Sequence, residues 1–198
     1  MLYKNKHFAN DEVKGRDFAD DTFLHCQFGQ LELKFTNFQN CQFSASDFTG
    51  AFFELTSFHN CTFPESKLSF LNFGNTNLRE CDFSSAIMEE CTFEKLKGGS
   101  NYERRALDLK HCSFHKTNLS RSIFVLCDLS KVDFSGANLT QVVFEKCTLT
   151  QTNFYDSNIE GANFDTSKVQ KSCLDMPGFV QLGHSKGFVF PEEIADAV

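Results

Sequence analysis

FQNCQFSASDFTGAFFELTSFHNCTFPESKLSFLNFGNTNLRECDF, residues Phe38 to Phe83, is the stretch whose reading decides the fold. Every fifth residue is large and apolar: Phe38, Phe43, Phe48, Phe53, Phe58, Phe63, Leu68, Phe73, Leu78 and Phe83. Two places before three of these centres stand Cys41, Cys61 and Cys81, separated by 20 residues, or four fives. A period of five fits neither the 3.6 residues per turn of an α-helix nor the two-residue alternation of a flat strand. It fits a coil in which each unit makes one side and a corner. Four sides return the chain to its starting point one layer up.

Working outward, the centres run unbroken from Phe8 to Phe93, with Val13, Leu33, Leu68, Leu78 and Met88 replacing Phe. From Cys26 onward the position two before each centre is mostly Cys, Thr, Ser or Ala, with Leu31 and Leu71 as exceptions, and the other three are mainly polar. Two residues in five are therefore expected to point inward. The next centres in phase would be Gly98 and Glu103, which cannot fill a core. The pattern resumes at Leu109 and continues through Phe114, Leu119, Phe124, Leu129, Phe134, Leu139, Phe144, Leu149, Phe154, Ile159, Phe164 and Val169 to Leu174. Eleven extra residues separate the two runs, which makes 94–108 an inserted loop and places Cys112 in the column of Cys81. In the second run Phe and Leu alternate, as dense filling of a narrow interior requires. Asn118, Asn138 and Asn158, spaced by 20, are expected to form an amide ladder.

Composition narrows the function classes. The 198 residues include 25 Phe, 9 Cys and no Trp, with a net charge of −7. An acidic surface disfavours nonspecific contact with nucleic acid or anionic membrane. Met1–Phe8 holds no apolar run, and no stretch approaches the ~18 apolar residues of a membrane span. The chain is expected to be cytoplasmic. Cys26, Cys41, Cys61, Cys81, Cys91, Cys112, Cys127 and Cys147 all lie two before a centre, so they read as small buried hydrophobes. Stacked at about 4.8 Å with parallel Cβ vectors, they are expected to stay reduced.

Catalytic chemistry finds no support. There is no phosphate-binding glycine motif, nucleophile elbow or metalloprotease helix. The His111-Cys112-His115 cluster fails as a metal site because Cys112 faces inward while His111 faces out. His25-Cys26 fails as a catalytic pair for the same reason. A narrow filled rod has no deep cleft, so neither an enzyme nor a cofactor is expected.

Charge is uneven along the chain. Residues 1–93 hold 13 acids and 7 bases, residues 94–121 hold 3 acids and 7 bases, and residues 122–165 hold 6 acids and 2 bases. The basic stretch takes in the loop and runs on to Arg121. From Asp175 the period is lost, and 175–198 reads as a terminal cap, with Pro191-Glu192-Glu193 as a helix-start signal.

Ser135-Gly136-Ala137-Asn138-Leu139-Thr140 and Gly161-Ala162-Asn163-Phe164-Asp165 resemble the units of pentapeptide-repeat proteins, and the likeness covers Phe8 to Leu174. It implies an all-β, right-handed quadrilateral β-helix over 1–174, with the projecting loop 94–108 and the cap 175–198. Thirty-two centres make eight coils, roughly 38 Å at about 4.8 Å per layer. In size and layout the chain is similar to the quinolone-resistance (Qnr-like) members. That implies a non-enzymatic, DNA-like rod that binds a type II topoisomerase, DNA gyrase or topoisomerase IV, and dimerises at its C-terminal end without contacting nucleic acid itself. The alternative is a general interaction scaffold with no topoisomerase role. The expected partner-binding loop residues are Lys95, Lys97, Tyr102, Arg104 and Arg105. The expected dimer interface is Phe188, Phe190 and Ile194, with a lateral patch of Ile123, Val125, Leu126 and Val143 as second choice.

Overall fold

The computed structural model describes residues 1–95 and 106–189. It is a right-handed quadrilateral β-helix of about eight coils, built from short parallel strands with two short helices. Register shows the coil length directly. Phe18 pairs with Phe38 and Phe38 with Phe58, each step 20 residues. Across the insertion the step becomes 31, as in Thr92 to Ile123 and Asp82 to Ser113. Eleven extra residues is therefore the correct loop length.

The corners explain how a strand of three residues can turn and continue. The residue two after a centre commonly adopts a left-handed conformation, as at Asp20 (φ 56°), Asn40 (φ 52°) and Asn60 (φ 52°). Most such corners carry a side chain instead of glycine, so their strain is offset by the ladder bonds on either side. Asn and Asp suit these corners and also bond upward. Asn60 donates to Asn40, and Asn40 to Asp20, each at 3.0 Å. The expected ladder of Asn118, Asn138 and Asn158 forms only in part. Asn138 donates to Asn118 at 3.0 Å, but Asn158 turns to the Thr140 hydroxyl at 3.1 Å.

The core is a set of stacked rings. Along the Phe23 face, Tyr3, Phe23, Phe43, Phe63, Phe83, Phe114, Phe134 and Phe154 stack with centroids 4.7–5.5 Å apart. Rings on neighbouring faces meet edge to face, as Phe23 and Phe28 do at 5.4 Å. Both arrangements suit the ring quadrupole. Burying each Phe contributes about 1.5–3 kcal/mol. All eight phased cysteines are buried and free, whereas Cys173 is exposed. Seven of these thiols donate to carbonyls of the coil below, among them Cys91 to Leu68 at 2.9 Å and Cys61 to Phe38 at 3.4 Å.

Both the first and the last described coils carry capping contacts. At the first coil the Met1 ammonium pairs with Asp21, and the Lys6 ammonium lies 4.5 Å from the Phe8 ring centroid. Helix α1 (Asn10–Val13) replaces one strand there, and Asn10 accepts from the Glu32 N–H at 2.8 Å in the next coil. At the other end helix α2 (Met176–Ser185) lies against the last coil. The sequence pattern pointed to a helix start at Pro191, which lies outside the described residues. The helix that is described starts fifteen residues earlier, at Met176, within the segment read as the cap and despite Pro177, Gly178 and Gly183. Asp175 caps it by accepting from the Gly178 N–H at 2.9 Å, and Pro177 sits in the first turn, where no N–H is needed. Gly178 lets the helix approach closely, since a Cβ there would fall 2.4 Å from Leu174 Cδ1 and displace that side chain. Gln181 accepts from the Ile159 N–H at 2.8 Å, and Leu182 packs on the core. Val169, expected to be interior as a centre, is instead exposed, since the last layer has no coil above it on that face.

Candidate partner-binding surfaces

Three surfaces stand out, and repeat geometry positions each. The first is the root of the inserted loop. The strand Thr92–Glu94 leads into it, and the strand Leu107–Asp108 resumes the coil. Lys95 is exposed at this root and lines an open cavity of about 750 Å³ together with Leu55, Asn75, Arg79, Asp108 and His111. Lys97, Tyr102, Arg104 and Arg105 lie outside the described residues, so of the five expected loop residues the structure places only Lys95. Nearby, Lys110 lies 3.5 Å from both Asp108 and Asp128, and these carboxylates hold its ammonium above the usual lysine range. His115 shares a 2.9 Å hydrogen bond with Ser135, and the Cys112 thiol is buried. Those neighbours do not converge on one point, and among the described residues no three His, Cys, Asp or Glu side chains cluster as metal ligands would.

The second surface is the C-terminal end. Phe188 is 72% exposed, and its N–H donates to the Gly183 carbonyl at 3.0 Å, which folds it back over the end of α2. Met176, Phe179 and Val189 are also exposed, so this end presents several large apolar side chains. Phe190 and Ile194 lie outside the described residues. Of the second-choice lateral patch only Ile123 is exposed. Val125 is buried.

The third surface went unrecognised in the sequence. Phe35, Phe52, Leu55 and Phe70 are each more than half exposed on coils two to four. Phe35 and Leu55 occupy one corner, a single coil apart, and the Lys34 ammonium lies 5.2 Å from the Phe52 ring centroid. The signal was available: within the repeats these three Phe are the ones out of phase with the five-residue period. A cluster of large apolar side chains in water marks a contact surface more often than chance placement does.

Comparison with known proteins agrees with this architecture. A family model described as "Pentapeptide repeat region" matches residues 101–174, and one described as "Pentapeptide repeats (8 copies)" matches residues 36–69 and 57–94. No curated protein matches the chain in sequence. Among solved structures, full-length QnrB1, a plasmid-mediated fluoroquinolone resistance protein, is 17% identical; the match covers 94% of this chain and 97% of that one, with a TM-score of 0.48. HetL, involved in heterocyst differentiation regulation in the cyanobacterium Nostoc sp. strain PCC 7120, is 14% identical over 87% of this chain and 84% of its own, with a TM-score of 0.29. Rfr23 from the cyanobacterium Cyanothece 51142 is 13% identical over 88% of this chain and 91% of its own, with a TM-score of 0.32. The period of five, the four-sided coil and the family models agree: the chain belongs to the pentapeptide-repeat family.

Proposed function

We propose that this chain is a non-enzymatic, cytoplasmic rod that binds a type II topoisomerase in place of DNA and protects it from quinolones, acting as a homodimer joined at its C-terminal end. The observation that carries the reading is the charge layout: an acidic rod on both sides of one basic stretch that begins in the inserted loop, net −6 over 1–93, +4 over 94–121 and −4 over 122–165. In that arrangement the rod's flanks lie along a basic DNA groove while Lys95, Lys97, Tyr102, Arg104 and Arg105 reach an acidic or aromatic-accepting part of the enzyme. The dimer reading is supported by the exposed Met176, Phe179 and Phe188 at one end.

A second reading, an interaction scaffold with a different partner, is favoured by two observations. Duplex DNA carries a charge about every 1.7 Å. A net charge of −7 spread over a rod of roughly 38 Å is sparser, about one per 5 Å. The out-of-phase Phe35, Phe52 and Phe70 also suit an apolar partner better than a DNA groove.

The deciding experiment is DNA gyrase and topoisomerase IV supercoiling and relaxation with added protein, with and without ciprofloxacin. Inhibition alone or drug rescue supports the first reading; neither effect at micromolar protein sinks it and leaves the scaffold. A variant lacking eleven residues of 94–108 is expected to keep the β-rich spectrum and melting temperature, because loop-closure entropy changes slowly with length. It is expected to lose protection, as is Arg104→Ala with Arg105→Ala. Full protection by the loopless protein would remove the loop from the mechanism.

A further inference from the structure

One side of the rod departs from the rule that outward side chains are polar. It is the Phe53 face, centred on Val13 in the first coil and on Phe164 in the eighth. Parallel register aligns its columns, Glu32 with Phe52 and Lys34 with Glu54 low on the rod, Ile123 with Val143 and Val125 with Glu145 higher up. Phe35, Phe52 and Leu55, on coils two and three, are each more than half exposed, and Ile123, on coil six, is 41% exposed. Large apolar side chains gathered on one face in water mark a contact surface.

Charge on this face has a direction. In the column just after the centres, Lys14 and Lys34 stand on coils one and two, and Glu145 and Asp165 on coils seven and eight, with Glu54 and Glu94 between them. In the column just before the centres, Glu12 and Glu32 are held by Lys6, Lys14 and Lys34 of the same chain. Glu145 and Asp165 have only the neighbouring Lys146 and Lys186 as ion-pair partners among the described residues. A column that is basic at one end and acidic at the other is complementary to itself when reversed. Within one chain Lys34 and Glu145 are five layers apart, roughly 24 Å, and cannot meet.

We infer that a second copy of this chain docks antiparallel on the Phe53 face, about a two-fold axis that crosses the rod between coils four and five. Such an axis runs parallel to the strands, so each column faces its own copy and coil one meets coil eight. Phe52 then meets Ile123, Leu55 meets Leu126, and the Phe35 ring meets the Lys146 ammonium, a cation–π contact. Lys34 meets Glu145, Lys14 meets Asp165, and no like charges oppose each other in these three columns. A parallel pair does worse, because it sets Phe52 against Glu54 and leaves Glu145 and Asp165 opposite Val143 and Asn163. Aromatic and aliphatic contacts at the centre with charges toward the ends are the layout of a specific interface. The pair keeps the two C-terminal ends apart, so it stands independently of the C-terminal joining proposed above.

The test uses the full chain with Cys173→Ser, which removes the exposed native thiol. Spin labels are placed at Gln30→Cys or Thr166→Cys, both exposed and on corners beside the face. Antiparallel pairing sets the two Gln30 labels five layers apart, roughly 24 Å, and the two Thr166 labels seven layers apart, roughly 34 Å. Joining at the C-terminal ends reverses that order and puts the Gln30 labels at least twelve layers apart, roughly 58 Å. In sedimentation, Phe52→Asp should weaken association at least tenfold with the melting temperature unchanged. Lys34→Glu should weaken it at least threefold, and adding Glu145→Lys should restore it, a rescue that only a contact between two chains can give. Phe179→Ser with Phe188→Ser should leave the lateral pair intact. The proposal is overturned if the chain stays monomeric at high micromolar concentration or if Phe52→Asp leaves association unchanged. It is equally overturned if Glu145→Lys fails to rescue Lys34→Glu. A Gln30 distance longer than the Thr166 distance overturns it and favours joining at the C-terminal end.

Discussion

The first three coils and the four that follow fill the same cross-section differently. Coil three is Phe on all four sides, with Phe48, Phe53, Phe58 and Phe63, and coils one and two carry three Phe each. From coil four onward the sides alternate, as in Leu119, Phe124, Leu129 and Phe134. In the aromatic coils rings meet edge to face around the corners, Phe43 with Phe48 at 5.1 Å and Phe58 with Phe63 at 5.5 Å. In the alternating coils the two Phe columns face each other across the rod, Phe124 with Phe134 at 6.1 Å, and Leu fills the flanks. One backbone thus accepts two packing solutions. Interior volume is set by the sum over a layer and the fit between rings, and no single position dictates its residue.

The harshest way to break this comparison is to open a void in each half. Phe43→Ala, which removes a fully buried ring stacked on both neighbours, is expected to cost about 3–5 kcal/mol, and Phe144→Ala about the same. Chemical denaturation of both variants should show similar losses. A much smaller loss in the aromatic half would mean that its rings repack into the gap.

Overfilling is the sharper probe. Leu139→Phe adds a ring to a layer that already holds two and is expected to cost about 1–3 kcal/mol. The reverse change in the crowded layer, Phe48→Leu, recreates the alternation and should cost roughly 1 kcal/mol. If the two melting shifts came out equal, the halves would not differ in packing tolerance.

Cys91 sits in the fifth coil, within the alternating half, and burial pushes its thiol up to about 12. A thiol whose folded pKa is raised stays protonated in the folded state while the unfolded chain ionises near pH 9. Stability from this group is complete below about pH 9 and declines as pH rises toward 12. The expected loss by pH 10 is about 1 kcal/mol, abolished in Cys91→Ala after correction for its lower baseline. In native labelling with a thiol reagent at pH 8, Cys173 is expected to react first and the eight buried thiols only on unfolding. Rapid native labelling of several of them would contradict the stacked core in both halves.

The smallest expected effect is at the surface of the aromatic half. Phe52→Ser removes an exposed ring and its contact with Lys34, and should change stability by less than about 0.5 kcal/mol. Binding to whatever partner uses this patch should fall far more than stability does. A large stability loss would show that Phe52 belongs to the core.

The coil was legible because phase and burial coincide residue by residue. Phe38, Phe43 and Phe48 keep the period and are buried, while Phe35, Phe52 and Phe70 break it and are exposed. Loop length followed from the same rule, since Cys81 and Cys112 had to share a column. The features that escaped are those the period does not encode. Helix α2 depends on Asp175, on the Leu174–Gly178 contact and on Gln181 reaching Ile159, which are contacts with the finished rod and leave little local signature. That the strands Thr76–Arg79 and Leu107–Asp108, one coil apart, belong to different sheets escaped for the opposite reason. Thr76 and Leu78 obey the repeat fully, and nothing in their spacing distinguishes them from Thr56 and Phe58, whose ladder is closed.

The ring of charge at the first coil has a consequence for assembly. A stack of identical layers has no natural length, since its terminal strands can template another layer as readily as any interior one. Here the bottom of the aromatic column is met by the Lys6 ammonium, and the edge beside it by the Met1–Asp21 pair. An incoming coil would have to strip water from those charges while supplying no partner for them. Growth downward is therefore unfavourable, and α2 covers part of the top. The Lys6–Glu12 ion pair, 2.8 Å long and laid against the Phe8 ring, is the element that opposes stacking on this layer, and Lys6→Leu is expected to ease association there.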